Sequence, residues 1–371
     1  MTTMTERLEF AARVERIAAY PAAGAYGEHA AAANLASNES PEPPIPAVLA
    51  AIEAALGTLN RYPDPSASQL RGRLAARYGV PAARIAVGNG SCDLLLAAGE
   101  ALLEPGAELV YAWPSFSIYP HLAATSGARA VTVALDGDDR HDLDAIAAEL
   151  TAATRLVIVC NPNNPTSTAV GLDAIATLLE RVPPHIAVIV DEAYCEFNLL
   201  AGDPDASIAL LARHPNLLLL RTFSKVYGLC GLRVGFALCG SERLKLALDQ
   251  VRQPFAVNAL ALAAAFEALA HGDEVQRRVE RTIARRIGLE AGLEELGVKV
   301  ADSQANFVWT TLPGERDDGP IVEGLADRGV LVRAGSALGR QGALRVTCGT
   351  ERENERFLGA LRELLARPAG A

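Results

Sequence analysis

The stretch NLLLLRTFSKVYGLCGLRVGFALC, residues 216–239, carries the readings on which the fold turns. NLLLLRTF (216–223) is apolar at consecutive positions rather than alternate ones, which predicts a strand covered on both faces of a sheet. RVGFALC (233–239) predicts a second strand. The link from Phe223 to Arg233 falls short of the dozen or so residues that a parallel crossover needs, so RVGFALC is expected to run antiparallel to its neighbours. Lys225 lies in that link, where the chain leaves the leucine-rich strand. A lone lysine is ordinarily solvated surface. One held at the end of a buried strand is desolvated, gives up its proton more easily and becomes a usable nucleophile.

Upstream, short apolar runs alternate with helical stretches: RIAVG (84–88), ELVYA (108–112), ARAVTVAL (128–135), TRLVIVC (154–160) and HIAVIVDEA (185–193). With the two runs above they make seven strands. The expected architecture is α/β: a doubly wound, mainly parallel seven-stranded sheet with one antiparallel strand. Beyond residue 241 come the helical patterns SERLKLALDQVRQ, NALALAAAFEALAHG and a long charged helix near 273–296. The short strands VKVAD, NFVWTTL, GVLVRAG and ALRVTCG and the helix ERENERFLGALRELLA then close a smaller α+β domain. A chain of 371 residues exceeds what one compact core usually holds. The expected division is an N-terminal arm and part of the small domain at 1–60, a large domain at 61–260 and a small C-terminal domain at 261–371.

The formal charge of −10 repels phosphate backbones, so nucleic acid is not an expected partner. The six cysteines form no C-x-x-C pair and the six histidines form no H-E-x-x-H cluster, which leaves reduced thiols and no metal site as the expectation. The N-terminus mixes acids and bases, and no run approaches the roughly 18 apolar residues of a membrane span. A cytoplasmic enzyme without a membrane partner is expected.

In open parallel sheets, ligands bind at the carboxyl ends of the strands. After RIAVG, Asn89-Gly90-Ser91 opens a helix with Ser91 as the expected N-cap and Asp93 in the first turn. Such a turn offers free N–H groups to an anion, although a plain strand-to-helix turn reads the same way. After ELVYA comes Trp113-Pro114-Ser115-Phe116, whose aromatics either cover a flat ring or pack the core. After TRLVIVC comes Asn161-Pro162-Asn163-Asn164-Pro165-Thr166, a stiffened loop whose amides can bond an oxygen or simply make turns. After HIAVIV comes Asp191-Glu192-Ala193-Tyr194. An acid at the end of a buried strand is costly unless it meets a positive group, in a salt bridge or otherwise. Each signal is weak alone. An anion-binding turn, an aromatic, an amide, an acid and a lysine at strand ends of one sheet are not weak together.

With these residues in hand, the chain resembles the aspartate-aminotransferase superfamily, the fold type I pyridoxal-phosphate enzymes, and within it the histidinol-phosphate aminotransferase family. The resemblance runs from LASNESPEPP through NRYPDPSAS, GNGS, CNPNNPTS, DEAY and RTFSKVYGLCGLRVGF to SQANFV and ALRVTCGT. It implies pyridoxal 5'-phosphate as cofactor and a small-molecule amino donor and 2-oxo acid as substrates. Lys225 would carry the cofactor covalently and then shuttle the substrate proton. Asp191 would pair with the pyridine nitrogen, Asn164 and Tyr194 would bond the phenolic oxygen, and Phe116 would stack on the ring. Gly90, Ser91, Cys92, Ser224 and Arg233 would hold the phosphate, with Tyr62 reaching across a homodimer interface to the partner's site. Tyr20, Asn38, Arg333 and Arg345 would bind the substrate.

Four positions depart from the family pattern: Ser167 stands for the usual glycine, Ala256 for the usual asparagine of RQPFNVN, and Cys92-Asp93 for an Asp-Glu pair. YAWPSFSIYP and HDLDAIAAEL also resemble the aromatic (phenylalanine) aminotransferases, which leaves two donor classes open. A nicotinamide dehydrogenase fits less well, because GNGSCD lacks the third glycine of G-x-G-x-x-G. A cofactor-sensing transcription regulator would need an added DNA-binding domain, for which the residues before 34 leave no room, and a less acidic chain.

Overall fold

The computed structural model describes residues 9–11, 13–14, 17 and 33–366. In chain order the first half contains β1 (Ala33–Asn34), α1 (Pro46–Ala55), α2 (Ser68–Tyr78), β2 (Ile85–Gly88), α3 (Ser91–Leu102), β3 (Glu108–Trp113), α4 (Ile118–Ser126), β4 (Arg129–Ala134), α5 (Leu143–Ala148), β5 (Thr154–Cys160), α6 (Leu172–Arg181) and β6 (Ala187–Asp191). The second half contains β7 (Leu217–Thr222), β8 (Gly235–Cys239), α7 (Glu242–Val251), α8 (Ala259–Ala268), α9 (Gly272–Glu295), β9 (Lys299–Val300), β10 (Phe307–Thr311), α10 (Asp318–Asp327), β11 (Val330–Leu331), β12 (Arg333–Ala334), β13 (Ala343–Thr347) and α11 (Glu351–Leu365).

All seven expected strands join one sheet, in the order β2-β8-β7-β6-β5-β3-β4. Strand β8 is antiparallel to both β2 and β7, and the other pairings are parallel, as the short link from Phe223 to Arg233 requires. The β7–β8 ladder closes with Thr222 opposite Gly235. Because side chains alternate along a strand, the apolar runs feed two cores. Val157, Val159, Val188, Val190, Leu217 and Leu219 pack on one face. Leu156, Ile158, Ile189, Leu218 and Leu220 pack on the other. This is why the runs look uniformly apolar in sequence.

The strand RVGFALC starts two residues later than its apolar pattern, at Gly235, because Arg233 takes a left-handed conformation (φ 58°) that no strand accommodates. Ser91 is not the N-cap of α3. Gly90 holds that position at φ 80°, Ser91 is the first helical residue, and no side chain caps the helix from Gly90. Asp93, inside the first turn, instead accepts the Asn89 N–H at 3.0 Å.

A four-stranded sheet, β12-β13-β10-β9, forms the second layer system. GVLVRAG does not form one strand. Val330–Leu331 pairs in parallel with β1, and Arg333–Ala334 pairs antiparallel with β13. The buried Val332 lies between the two. The pairing with β1 attaches the N-terminal segment to this part of the molecule, and Leu35 packs there against Leu289, Leu293, Phe357 and Leu361 of α9 and α11. Among the described residues, no helix is long and apolar enough to cross a membrane.

Candidate active site

A cavity of about 370 Å³ opens at the carboxyl edge of the seven-stranded sheet, where it meets the segment after β1 and the four-stranded sheet. Ser91, Cys92, Phe116, Asn164, Asp191, Tyr194, Ser224, Lys225, Arg233, Asn38, Arg333 and Arg345 all line it. They come from the ends of β2, β3, β5, β6 and β7, from the segment after β1, from the link before β8 and from the second sheet. Twelve of the residues expected from the sequence thus line one cavity. Gly90 is not one of the lining residues; the Arg233 guanidinium fills the space that a Cβ on Gly90 would take. Tyr62 does not line the cavity; it is 82% exposed and stacks on Phe255 with ring centroids 4.6 Å apart. Tyr20 lies outside the described residues.

Lys225 points its Nζ at two backbone carbonyls, donating to Asn38 O at 3.0 Å and Ser37 O at 3.4 Å. Burial, then the positive charge of Arg345, lower its pKa from the ordinary 10.5 to about 8. Its ammonium also lies 5.5 Å from the centre of the Tyr194 ring. Asp191, 3% exposed, ends β6. Its Oδ2 accepts from the Tyr119 hydroxyl at 2.9 Å and its Oδ1 from the Ala193 N–H at 3.3 Å. Burial nevertheless raises its pKa to about 6, with the Tyr119 bond opposing the rise. A carboxylate so placed gains from any cationic N–H that enters the cavity.

One end of the cavity carries groups that suit an anion. The start of α3 presents unpaired helical N–H groups beside Ser91 and Cys92. Ser224 joins it from the end of β7, held by Thr222, whose Oγ1 accepts the Ser224 N–H at 3.0 Å. Arg233 joins from the far end of the link. Strand β8 begins so close to this turn that a Cβ on Gly235 would sit 2.5 Å from the Ser91 nitrogen, so only glycine fits.

The other end carries Arg333 and Arg345, directly opposed across β12 and β13. Like charges opposed in this way repel, and an anion between them relieves the repulsion. Arg345 donates to Asn164 Oδ1 at 2.7 Å and to Ala36 O at 2.6 Å. Since its oxygen is taken, the Asn164 amide has its NH₂ to offer elsewhere. Asn38 donates through Nδ2 to the Tyr194 hydroxyl at 3.1 Å, and burial pushes that phenol's pKa well up.

Two residues that shape the site escaped sequence reasoning. Tyr119, fully buried, holds Asp191. It follows Phe116 by three positions, one helical turn, and that spacing was the available signal. Ser37 contributes a backbone carbonyl, which no side-chain pattern reveals.

The sheet, its one reversed strand and the lysine–aspartate cavity at its carboxyl edge define the class of protein, a fold type I enzyme. The model of the aminotransferase class I and II family matches residues 31–361. The chain is 43% identical over 322 residues to histidinol-phosphate aminotransferase 2 of Ralstonia nicotianae, covering 86% of this chain and 85% of that protein. It is 44% identical over 308 residues to the aromatic amino acid aminotransferase of Thermobifida fusca, covering 83% of each. Among solved structures it is similar to the histidinol-phosphate aminotransferase of Sinorhizobium meliloti, determined in complex with pyridoxal-5'-phosphate. The TM-score is 0.85 at 28% identity, over 96% of this chain and 97% of that one. The chain belongs to the class I and II aminotransferase family.

Proposed function

We propose that this aminotransferase uses pyridoxal 5'-phosphate to take an amino group from L-histidinol phosphate and give it to 2-oxoglutarate, a step of histidine biosynthesis. The observation that carries the reading is one cavity lined together by Lys225, the buried Asp191, the start of α3 with Arg233, and the Arg333–Arg345 pair.

The residues present fit the cofactor. A phosphate suits the start of α3 with Ser224 and Arg233, and the missing side chain of Gly90 leaves room for that guanidinium against the turn. A protonated pyridine nitrogen suits Asp191, a buried carboxylate in need of a cationic partner. A phenolic oxygen suits the Asn164 NH₂ and the Tyr194 hydroxyl, and a flat ring suits Phe116. When bound, the cofactor supplies an electron-poor ring that delocalises the charge left on a deprotonated α-carbon. Lys225 is both its attachment point and the base that takes the α-proton and returns it. A pKa of about 8 brings the amine close to a working pH, where a base is most effective. Asp191 keeps the ring nitrogen charged.

Arg333 and Arg345, with Asn38 and Tyr20, bind the far end of the donor. A guanidinium pair takes a phosphate or a carboxylate in the same way. The second reading, an aromatic amino acid as donor, is supported by the Thermobifida fusca relative, as similar to this chain as the Ralstonia nicotianae one.

We also assign residues 61–260 to a large cofactor domain and residues 261–371, with the arm at 1–60, to a small one. The two sheets and the β1–β11 pair support this division. The working form is a cytoplasmic homodimer in which Tyr62 reaches the partner's phosphate site. Its support is the exposed Tyr62–Phe255 stack with Leu56 and Leu59 exposed just before it in the chain. The deciding experiment compares kcat/KM for histidinol phosphate and phenylalanine, each with 2-oxoglutarate. A preference for phenylalanine overturns the donor assignment but keeps amino transfer. Failure of the loaded enzyme with either donor overturns both.

A further inference from the structure

Ser167 is buried and holds a left-handed backbone conformation, φ 60°, that favours glycine. A serine there keeps a strain that glycine would relieve, so its hydroxyl needs a reason. That hydroxyl donates to Thr166 O at 2.5 Å and accepts, at 2.8 Å, from the hydroxyl of Ser303, which is 136 positions away in the segment between β9 and β10. The neighbouring Gln304 N–H donates to Ser167 O at 2.7 Å, and Gln304 Oε1 in turn accepts the Leu199 N–H at 2.9 Å. Inside the asparagine loop, the Ser167 N–H donates to Asn163 O at 2.8 Å. Asn163 is itself pinned to Pro114 O and Ser115. Asn164 is therefore held from three sides: by Arg345 at its amide, by Asn163 before it, and by the Ser167–Ser303 stitch beyond it.

We propose that the Ser167–Ser303 hydroxyl pair is a positioning device that fixes the angle of the Asn164 amide in the cavity, and that the strained serine is kept for this purpose. The proposal rests on the reading above in which the Asn164 NH₂ donates to the cofactor's phenolic oxygen. Such a donor competes with the proton shared between that oxygen and the lysine–cofactor linkage, so a well-aimed amide lowers the pKa of the bound chromophore. Neither serine touches the reacting atoms.

The test uses the loaded enzyme and its visible absorbance titrated against pH, with thermal midpoints measured alongside. Asn164→Ala is the reference and should raise the chromophore pKa. Ser167→Gly relieves the backbone while removing the hydroxyl. It should leave the thermal midpoint within about 2 °C of wild type and still raise the chromophore pKa by about half a unit, as expected when a hydrogen bond to the ionised oxygen loosens. Ser303→Ala, which leaves the backbone at 167 untouched, should give the same rise and carries the test if the glycine variant misfolds. A shifted Asn164→Ala with unshifted Ser167→Gly and Ser303→Ala overturns the positioning role alone. An unshifted Asn164→Ala overturns the reading of Asn164 and the proposal with it.

Discussion

Arg345 Nη1 donates to Asn164 Oδ1 at 2.7 Å, and this bond ties β13 to the asparagine loop across the cavity wall. The second terminal nitrogen of Arg345 holds Ala36 O at 2.6 Å, just before the segment whose carbonyls receive Lys225. An arginine expected only to grip the substrate is therefore also a strut for the groups around the lysine.

That dual role gives Arg345 a second effect to measure beside substrate binding. Arg333→Ala should cut kcat/KM for the phosphorylated donor by about 10²-fold through KM, as expected for losing one partner of a charged hydrogen-bonded pair. Its affinity for the cofactor should stay at the wild-type level. Arg345→Ala should lower both, because Asn164 loses its strut. Steady-state kinetics with equilibrium dialysis of the cofactor distinguishes the outcomes, and wild-type retention in Arg345→Ala contradicts the strut.

Lys225→Ala should abolish the visible band of the lysine-bound cofactor and reduce turnover by at least about 10²–10⁴-fold, the usual worth of a positioned acid–base group. Absorbance and a coupled transamination assay read both. Normal turnover in this variant would remove Lys225 from the chemistry.

The same lysine predicts a pH effect in the cofactor-free protein. Its pKa falls from 10.5 to about 8 on folding, mainly through burial. Between those values the unfolded chain holds a proton that the folded chain has released, so wild type gains stability as pH rises. Below pH 8 both states are charged and the folded state bears the full cost of the buried ammonium. The thermal midpoint of wild type minus that of Lys225→Met should therefore climb from about pH 8 to pH 10. A difference that stays flat over this range contradicts the assignment.

Asp191→Asn should slow single-turnover chemistry by about 10²–10³-fold, the scale of losing one preorganised charge at a reacting centre. Folding should survive, because an amide oxygen still accepts from Tyr119 and a neutral group is cheaper to bury than a carboxylate with a pKa near 6. Rapid-quench kinetics and circular dichroism check the two halves separately.

Tyr62→Phe keeps the stack on Phe255 and removes only the hydroxyl. It should weaken cofactor retention several-fold without changing the sedimentation coefficient of the protein. Unchanged retention would withdraw Tyr62 from the phosphate site.

Much of this was legible in the sequence because it is local. Apolar runs mark strands, and the length of the Phe223–Arg233 link dictates the reversal of β8. Loop residues after strands collect at one edge because parallel strands share a direction. What sequence could not show depends on contacts between distant segments. The split of GVLVRAG follows from two different partners, β1 and β13. Ser91 looked like a cap, yet Asp93 bonds the preceding loop from within the helix. Glu192 adjoins Asp191 but turns to the other face, where it pairs with Arg221 at 2.8 Å and leaves its neighbour to the cavity.

The reversal of β8 has a kinetic consequence for the residue between the strands. Lys225 sits on a loop whose two ends are ladder partners, Thr222 and Gly235, in the interior of a sheet. A tether anchored at both ends confines the amine to a small search volume. Toward a carbonyl held in the cavity its effective molarity would be raised accordingly, with the orientational entropy of that encounter lost when the chain folds rather than at each attachment.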